Sequence, residues 1–190
     1  MEREDSKAIS DYLAGDDADF SELVKKYLKP IYNFLYQLTN DRSALDDLTQ
    51  ITFIKAWKNI KKFDPNKSFK TWIFTIAKNT AYDYFKKKKT VPFSNFFDAD
   101  GNNKLENISE DEILPLELLE KAEAAKDLET ALSKISDQYR LILLMHYRDD
   151  LTLYEMSEIL NISYNTIKSQ HQRALLALKI VMENAPIFNI

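Results

Sequence analysis

Apolar positions along this chain recur at intervals of three and four, the period of an amphipathic helix. From Phe20 to Leu38 the run is Phe20, Leu23, Val24, Tyr27, Leu28, Ile31, Phe34, Leu35 and Leu38. Pro30 sits inside it and predicts a kink or a break. Asn40-Asp41-Arg42 reads as a turn, and Ser43 as the N-cap of a helix to about Lys61, with Asp46 in the capping-box position. Ala44, Leu48, Ile51, Phe53, Ile54 and Trp57 form its apolar side. A loop, Asp64 to Ser68, leads into one long helix from Phe69 to Lys89. At about 100° per residue its residues fall on two faces. Phe69, Trp72, Ile73, Ile76 and Thr80 read as core. Thr71, Phe74, Lys78, Tyr82, Phe85 and Lys89 lie opposite, with Thr75, Asn79 and Lys86 at the margin. Residues 1–19 read as acidic and partly frayed, with Ile9, Tyr12 and Leu13 able to form a short amphipathic turn.

The period is lost from Thr90 to about Leu116, where Pro, Asn, Gly, Asp and Glu dominate. A structureless stretch of roughly 25 residues is unusual inside one compact domain, so it reads as an acidic linker between two. Helical spacing resumes from Leu116 to Lys134. Ser136 is a predicted N-cap for a helix through Tyr147, and Thr152 with Glu155 forms a second capping box ahead of a short helix, Leu153 to Leu160. Asn161-Ile162-Ser163 is a tight turn in which Asn tolerates a left-handed conformation. A last helix runs from Tyr164 to about Glu183. It turns Ile167, Ala174, Leu178 and Val181 inward, and Asn165, Lys168, Ser169, Gln172 and Arg173 outward. Short helix, three-residue turn, longer helix is the outline of a helix-turn-helix. The fold expected is all-α: two small helical domains, residues 1–90 and 119–190, joined by an acidic linker at 91–118.

Two glycines and five prolines in 190 residues suit a helical protein, and the absence of cysteine excludes a disulfide framework and thiolate chemistry. The charged start and the lack of any apolar run near ~18 residues predict a soluble, cytoplasmic protein without membrane insertion. The net charge of −4 hides a partition: residues 20–90 carry 15 Lys/Arg against 6 Asp/Glu, whereas residues 91–126 carry 3 against 9. A basic block can meet a polyanion. Lysines neutralise phosphates, and aromatic faces accept stacked bases. The acidic total disfavours unaided attraction to DNA and points to a partner.

No constellation supports an enzyme. His146 and His171 stand on different helices and read as ordinary helix residues, and there is no phosphate-binding glycine loop, because Gly15 and Gly101 are the only glycines. No cofactor or metal is implied. A plain helix-turn-helix regulator leaves the basic-aromatic helix unexplained. A protein-only adaptor would bury Phe74, Tyr82 and Phe85 against a partner helix.

Three stretches resemble the bacterial RNA polymerase sigma factors of the small extracytoplasmic-function (ECF) group, over about Ala18 to Leu178. Asp46-Asp47-Leu48-Thr49-Gln50-Ile51-Thr52-Phe53-Ile54-Lys55-Ala56-Trp57 resembles the helix that grips the polymerase clamp. Phe69 to Tyr84 resembles the promoter-melting and minus-10-reading segment. Leu151 to Leu160 with Thr166-Ile167-Lys168-Ser169 and Arg173-Ala174 resembles the minus-35-reading domain. The resemblance implies a non-catalytic specificity subunit. Asp47, Leu48, Gln50, Ile51 and Ile54 would dock the clamp coiled coil of the largest subunit, and the second domain the flap of the second-largest. Asp64, Asn66, Lys67 and Ser68 would hold a flipped base of the minus-10 element. Trp72, Lys78, Asn79, Tyr82 and Lys86 would contact the same strand, with Asp83 structural. Asn165, Lys168, Ser169, Gln172 and Arg173 would read the minus-35 element. It implies promoter DNA, core polymerase and an anti-sigma factor as partners, and a linker threading polymerase channels. The chain departs from the pattern at Ile51, where Glu is frequent, at Asn161 for Gly, at Gln170 and Gln172 for cationic or aromatic residues, and near Ser136, where Pro is common.

Overall fold

The computed structural model describes residues 2–13, 17–88 and 125–184; the linker at 91–118 and the domain boundaries at 90 and 118 lie outside them. Among the described residues there are eight α-helices and no strand: α1 Glu2–Leu13, α2 Asp17–Thr39, α3 Leu45–Asn59, α4 Phe69–Lys88, α5 Ala125–Lys134, α6 Asp137–Leu143, α7 Leu153–Leu160 and α8 Tyr164–Glu183. Contacts divide the chain into two compact units, Met1–Asn95 together with Tyr154–Asn161, and Phe96–Leu153 together with Ile162–Ile190.

In the first unit α2, α3 and α4 pack against one another, and α1 lies on α2. Ile31, Phe34, Leu35, Ala56, Ile73, Phe74, Ala77 and Ala81 are fully buried between them. The Phe34 and Phe74 rings meet with centroids 5.0 Å apart. Four expectations need correction here. The N-terminal segment is a helix, because Asp5, only 5% exposed, accepts a bond from the Tyr27 hydroxyl at 2.5 Å and pairs with Lys26. A buried carboxylate has to be partnered, and this pairing ties α1 down. Pro30 does not break α2. An interior proline costs about 3 kcal/mol, which the burial of Tyr27, Ile31, Phe34, Leu35 and Leu38, each contributing about 1.5–3 kcal/mol, outweighs. The cap ahead of α3 is Asp41, whose carboxylate accepts from the Ser43 N–H at 3.0 Å and opens a 3-10 turn, Arg42–Ala44. Ser43 is not the cap of α3, whose own start has no side-chain cap. Finally, Phe74 of α4 is core, because α4 packs on two neighbouring helices and its buried arc is wider than a single face.

The second unit has its core where α5 and α6 meet α8, around Ala131, Ile135, Leu143, Ala174, Leu175, Leu178 and Met182. Ser136 caps α6, accepting from the Tyr139 N–H at 3.3 Å. Arg140 reaches back to the carbonyls of Leu132, Ser133 and Ile135 at 2.7, 3.2 and 3.2 Å, satisfying the acceptors left open at the end of α5. α6 continues as a wider π-turn, Leu144–Arg148, with the Asp149 N–H on the Leu144 carbonyl at 3.0 Å. Asn161 takes φ 58° between α7 and α8, as expected of Asn in that turn. Ser163 caps α8 through the Thr166 N–H at 3.1 Å.

Candidate nucleic-acid and polymerase interfaces

The loop ahead of α4 is bonded to itself. The Asp64 carboxylate accepts from the Asn66 backbone N–H at 3.0 Å and from its side-chain amide at 3.1 Å, and the Asp64 carbonyl accepts from the Lys67 N–H at 3.0 Å. Ser68 caps the helix, its hydroxyl accepting from the Thr71 N–H at 3.3 Å. Asp64, Asn66 and Lys67 are left exposed on a turn that holds its own shape. Such a turn loses little conformational freedom on binding.

Behind the loop stands an aromatic cluster. Phe63, Phe69 and Trp72 have ring centroids 5.1–5.7 Å apart, and Tyr27 is 5.4 Å from Phe69. Phe69 is core and Trp72 is half-buried beside it. Further along α4, Asn79 and Lys86 are exposed, while Thr71, Thr75 and Tyr82 are half-buried. Lys78 departs from the solvated position expected of it: the residue is 7% exposed. Its ammonium lies 5.4 Å from the centre of the Tyr82 ring, and no carboxylate among the described residues pairs with it. Desolvation pushes the Lys78 ammonium below its ordinary pKa and the Tyr82 phenol above its own. The buried stem holds the ammonium at a fixed place beside the Tyr82 ring. Asp83, expected to be structural on the core side, is exposed and pairs with Lys55 at 2.8 Å.

The apolar side expected of α3 is only partly buried. Three of its residues are exposed instead: Ile51 at 41%, Ile54 at 42% and Trp57 at 51%. The helix buries Leu45, Leu48, Thr49, Thr52, Phe53 and Ala56. Leu48, assigned from the resemblance to a partner contact, is 4% exposed and lies beneath Ile51 in the wall of a second hollow. Ile54 and Trp57, with Phe20, Val24, Leu28, Tyr32 and Phe53, line a groove of about 1060 Å³ between α2 and α3. Lys25, Lys29, Asp46, Asp47 and Gln50 form its polar edge. The Thr49 hydroxyl in its wall has no partner among the described residues. Ile51 opens on the other side, with Lys55, Asp83, Tyr84, Lys86 and Lys87.

On α8 the structure leaves Asn165 exposed and Lys168, Ser169, Gln172 and Arg173 half-buried; Ile167 and Gln170 are buried. Sequence reasoning missed one cluster. His146 and His171 lie on different helices, yet their rings meet edge to face at 4.9 Å, with Tyr147 at 4.6 and 5.7 Å from them. His146 Nδ1 is 2.8 Å from the Leu151 carbonyl. Burial, and secondarily the neighbouring His146, holds His171 down at about 4, and its Nε2 has no partner among the described residues. The unfolded chain takes up this proton near pH 6.5, the folded chain only near 4. The stability is therefore complete above pH 6.5 and is lost as pH falls towards 4, by at most about 1.4 kcal/mol per pH unit for one proton. Thermal melts between pH 7 and 5 should show this loss, and His171→Asn should flatten it. No group of three or more ligating side chains among the described residues could hold a metal ion, and no described helix is long and apolar enough to cross a membrane.

Together these surfaces define an all-helical protein whose first unit presents a basic-aromatic helix and an apolar groove, and whose second carries a capped helix after a left-handed turn. Profiles of sigma-70 region 2 and sigma-70 region 4 match residues 23–91 and 125–178. The chain is 32% identical over 181 residues to the ECF RNA polymerase sigma factor SigW of Bacillus subtilis strain 168, covering 94% of this chain and 97% of that one. It is 33% identical over 159 residues to SigM of the same organism, covering 83% and 91%. Among solved structures, CnrH in complex with the cytosolic domain of CnrY shares the fold at TM-score 0.62 and 18% identity, over 95% of this chain and 97% of that one. RpoE of Bartonella quintana, in complex with the anti-sigma factor NepR, shares it at TM-score 0.59 and 22% identity, over 87% and 98%. The chain belongs to the extracytoplasmic-function sigma factors of the sigma-70 family. It is thus a non-catalytic specificity subunit that directs promoter-specific transcription initiation.

Proposed function

We propose that the first unit docks the clamp coiled coil of polymerase through the α2–α3 groove, with Asp47, Gln50, Ile54 and Trp57, and reads the melted minus-10 non-template strand with α4 and the Asp64–Ser68 loop. The second unit reads the minus-35 duplex with Asn165, Lys168, Ser169, Gln172 and Arg173 in the major groove, and docks the flap. Lys78 carries the minus-10 reading. A cation held with its stem buried beside the Tyr82 ring, no carboxylate among the described residues neutralising it, and Asn79 exposed on the same helix together offer a place for a phosphate and an unstacked base. Each stacked base contributes about 1–3 kcal/mol, which offsets the cost of melting for the right sequence. An anti-sigma partner is proposed on the likeness to CnrH and RpoE, each solved with its partner.

The test is reconstitution with bacterial core polymerase and transcription from a pool of promoter fragments, with start sites read by sequencing. Wild-type chain should select a defined promoter. Asn79→Ala combined with Tyr82→Ala should keep polymerase binding and lower open-complex formation by about 30–1000-fold, from two lost contacts of ~1–2 kcal/mol each. Unchanged open-complex formation would remove this face from the mechanism.

A further inference from the structure

The C-terminal turn of α4 carries Lys86, Lys87 and Lys88, and these three do not share one environment. Lys86 and Lys87 are exposed, and no carboxylate among the described residues pairs with them. Lys88 donates to Asp41 Oδ2 at 2.7 Å. The same oxygen accepts from the Tyr84 hydroxyl at 2.5 Å, and Asp41 Oδ1 accepts from the Ser43 hydroxyl at 2.6 Å and the Ser43 N–H at 3.0 Å. The Lys88 ammonium also lies 4.7 Å from the centre of the Tyr84 ring. A carboxylate has about four acceptor positions, and all four are used. An ammonium, two hydroxyls and a backbone N–H converging on one oxyanion is a donor set suited to a phosphate. Here a residue of the chain itself fills it.

We propose that Asp41 is an internal competitor of the DNA phosphates: it engages Lys88, so that only Lys86 and Lys87 of this turn add net contacts to the nucleic-acid backbone. This rests on the reading of α4 as the strand-binding helix. The physical reason is exchange. A lysine that leaves one oxyanion for another strands the first and so gains little, whereas an unpaired lysine releases the counterions condensed on the DNA at no such cost. The Lys88 ammonium is pushed up to about 12 by Asp41 and Tyr84, and Asp41 is held well below the usual carboxylate range by Lys88, Ser43 and Tyr84, so both stay charged across the pH range of binding. The consequence is weaker sequence-independent attraction, which leaves promoter choice to the contacts on Lys78, Asn79 and Tyr82. Asp41 thus acts on specificity without touching a base.

The experiment measures binding of holoenzyme, assembled from the full chain and core polymerase, to a labelled fragment carrying the promoter selected in the transcription assay, across a salt series. Core polymerase contributes the same slope of log affinity against log salt to every variant. Lys86→Gln should reduce the slope by about 0.7–0.9, one phosphate contact. Lys88→Gln should leave it unchanged. Asp41→Asn keeps an acceptor for Ser43 and a good N-cap, but cannot hold the ammonium, so it should steepen the slope by about 0.7–0.9 and tighten binding at low salt. The double variant Asp41→Asn with Lys88→Gln should return to the wild-type slope. A slope that falls equally with Lys88→Gln and Lys86→Gln overturns the proposal, as does a folded Asp41→Asn with an unchanged slope. If Asp41→Asn does not fold, Lys88→Gln still decides. No change with Lys86→Gln is a separate failure, since it removes the phosphate reading of this helix end itself.

Discussion

Phe74→Ala should cost the first unit about 3–5 kcal/mol, the range for an aromatic ring deleted from a core. The ring is fully buried, and its centroid lies 5.0 Å from that of Phe34 on the neighbouring helix. Phe34, Ile31 and Leu35 on the same stretch of α2 are also fully buried, so little side-chain freedom exists to refill the space. Folded domains hold only about 5–15 kcal/mol in reserve, so the loss is a large fraction of the total. In urea the midpoint should fall by ~1–5 M at unchanged slope. The contrast is Asn79→Ala on the exposed side of the same helix, which should stay within about 0.5 kcal/mol of wild type. The pair separates two pictures of α4. If Phe74 were a base platform or an adaptor contact, its removal would leave stability intact and affect binding alone. An unmoved urea midpoint for Phe74→Ala would rule out the packing described.

That contrast also shows what could be read from the sequence. Features set by neighbours along the chain were mostly legible, the Asp41 cap ahead of α3 being the exception. Ser136 and Ser163 cap their helices, Asn161 takes the left-handed turn, and α8 begins and ends where its pattern does. Each depends on a hydrogen bond or a φ angle within a few residues. Features set by distant residues were not. Asp5 with Tyr27, Asp41 with Tyr84, and His146 with His171 are joined only by the folded bundle, and none carries a local signature. The α4 helix failed in an instructive way. Periodicity assigns one buried face to a helix, but α4 is flanked by α2 and α3, so its buried arc takes in Phe74, Ala77, Lys78 and Ala81 as well. Lys78 could not be placed because a lysine reads as solvated, while here its stem is buried and its ammonium lies against the Tyr82 ring. On α3 the apolar side divides between core and surface. Ile51, Ile54 and Trp57 are apolar but exposed, and hydrophobicity alone does not distinguish a core face from one kept for a partner.

Ile54→Asp is expected to weaken binding of the full chain to core polymerase by about 30–1000-fold, the loss of one interface anchor of roughly 2–4 kcal/mol. Ile54 sits in the wall of the α2–α3 groove with Phe53 and Trp57, and the polar residues Asp46, Asp47, Gln50, Lys25 and Lys29 stand around them. An apolar floor with charged edges is the usual anatomy of an interface centre and its rim. A carboxylate at the floor would have to be desolvated on docking with no partner supplied, which adds to the lost apolar contact. The fold should tolerate the change, because Ile54 is 42% exposed and its neighbours Leu48, Thr52 and Phe53 supply the packing of α3. Circular dichroism of the variant should match wild type. Lys58→Asp, also exposed on α3 but outside the groove, should change the affinity only a few-fold and mainly through the association rate, as rim charges do. Affinity is read by anisotropy of labelled chain titrated with core enzyme. Equal affinities for Ile54→Asp and wild type would place the polymerase contact elsewhere. The exposed Ile54 and Trp57 would then need another partner, since a groove of this size and lining is costly to leave in water.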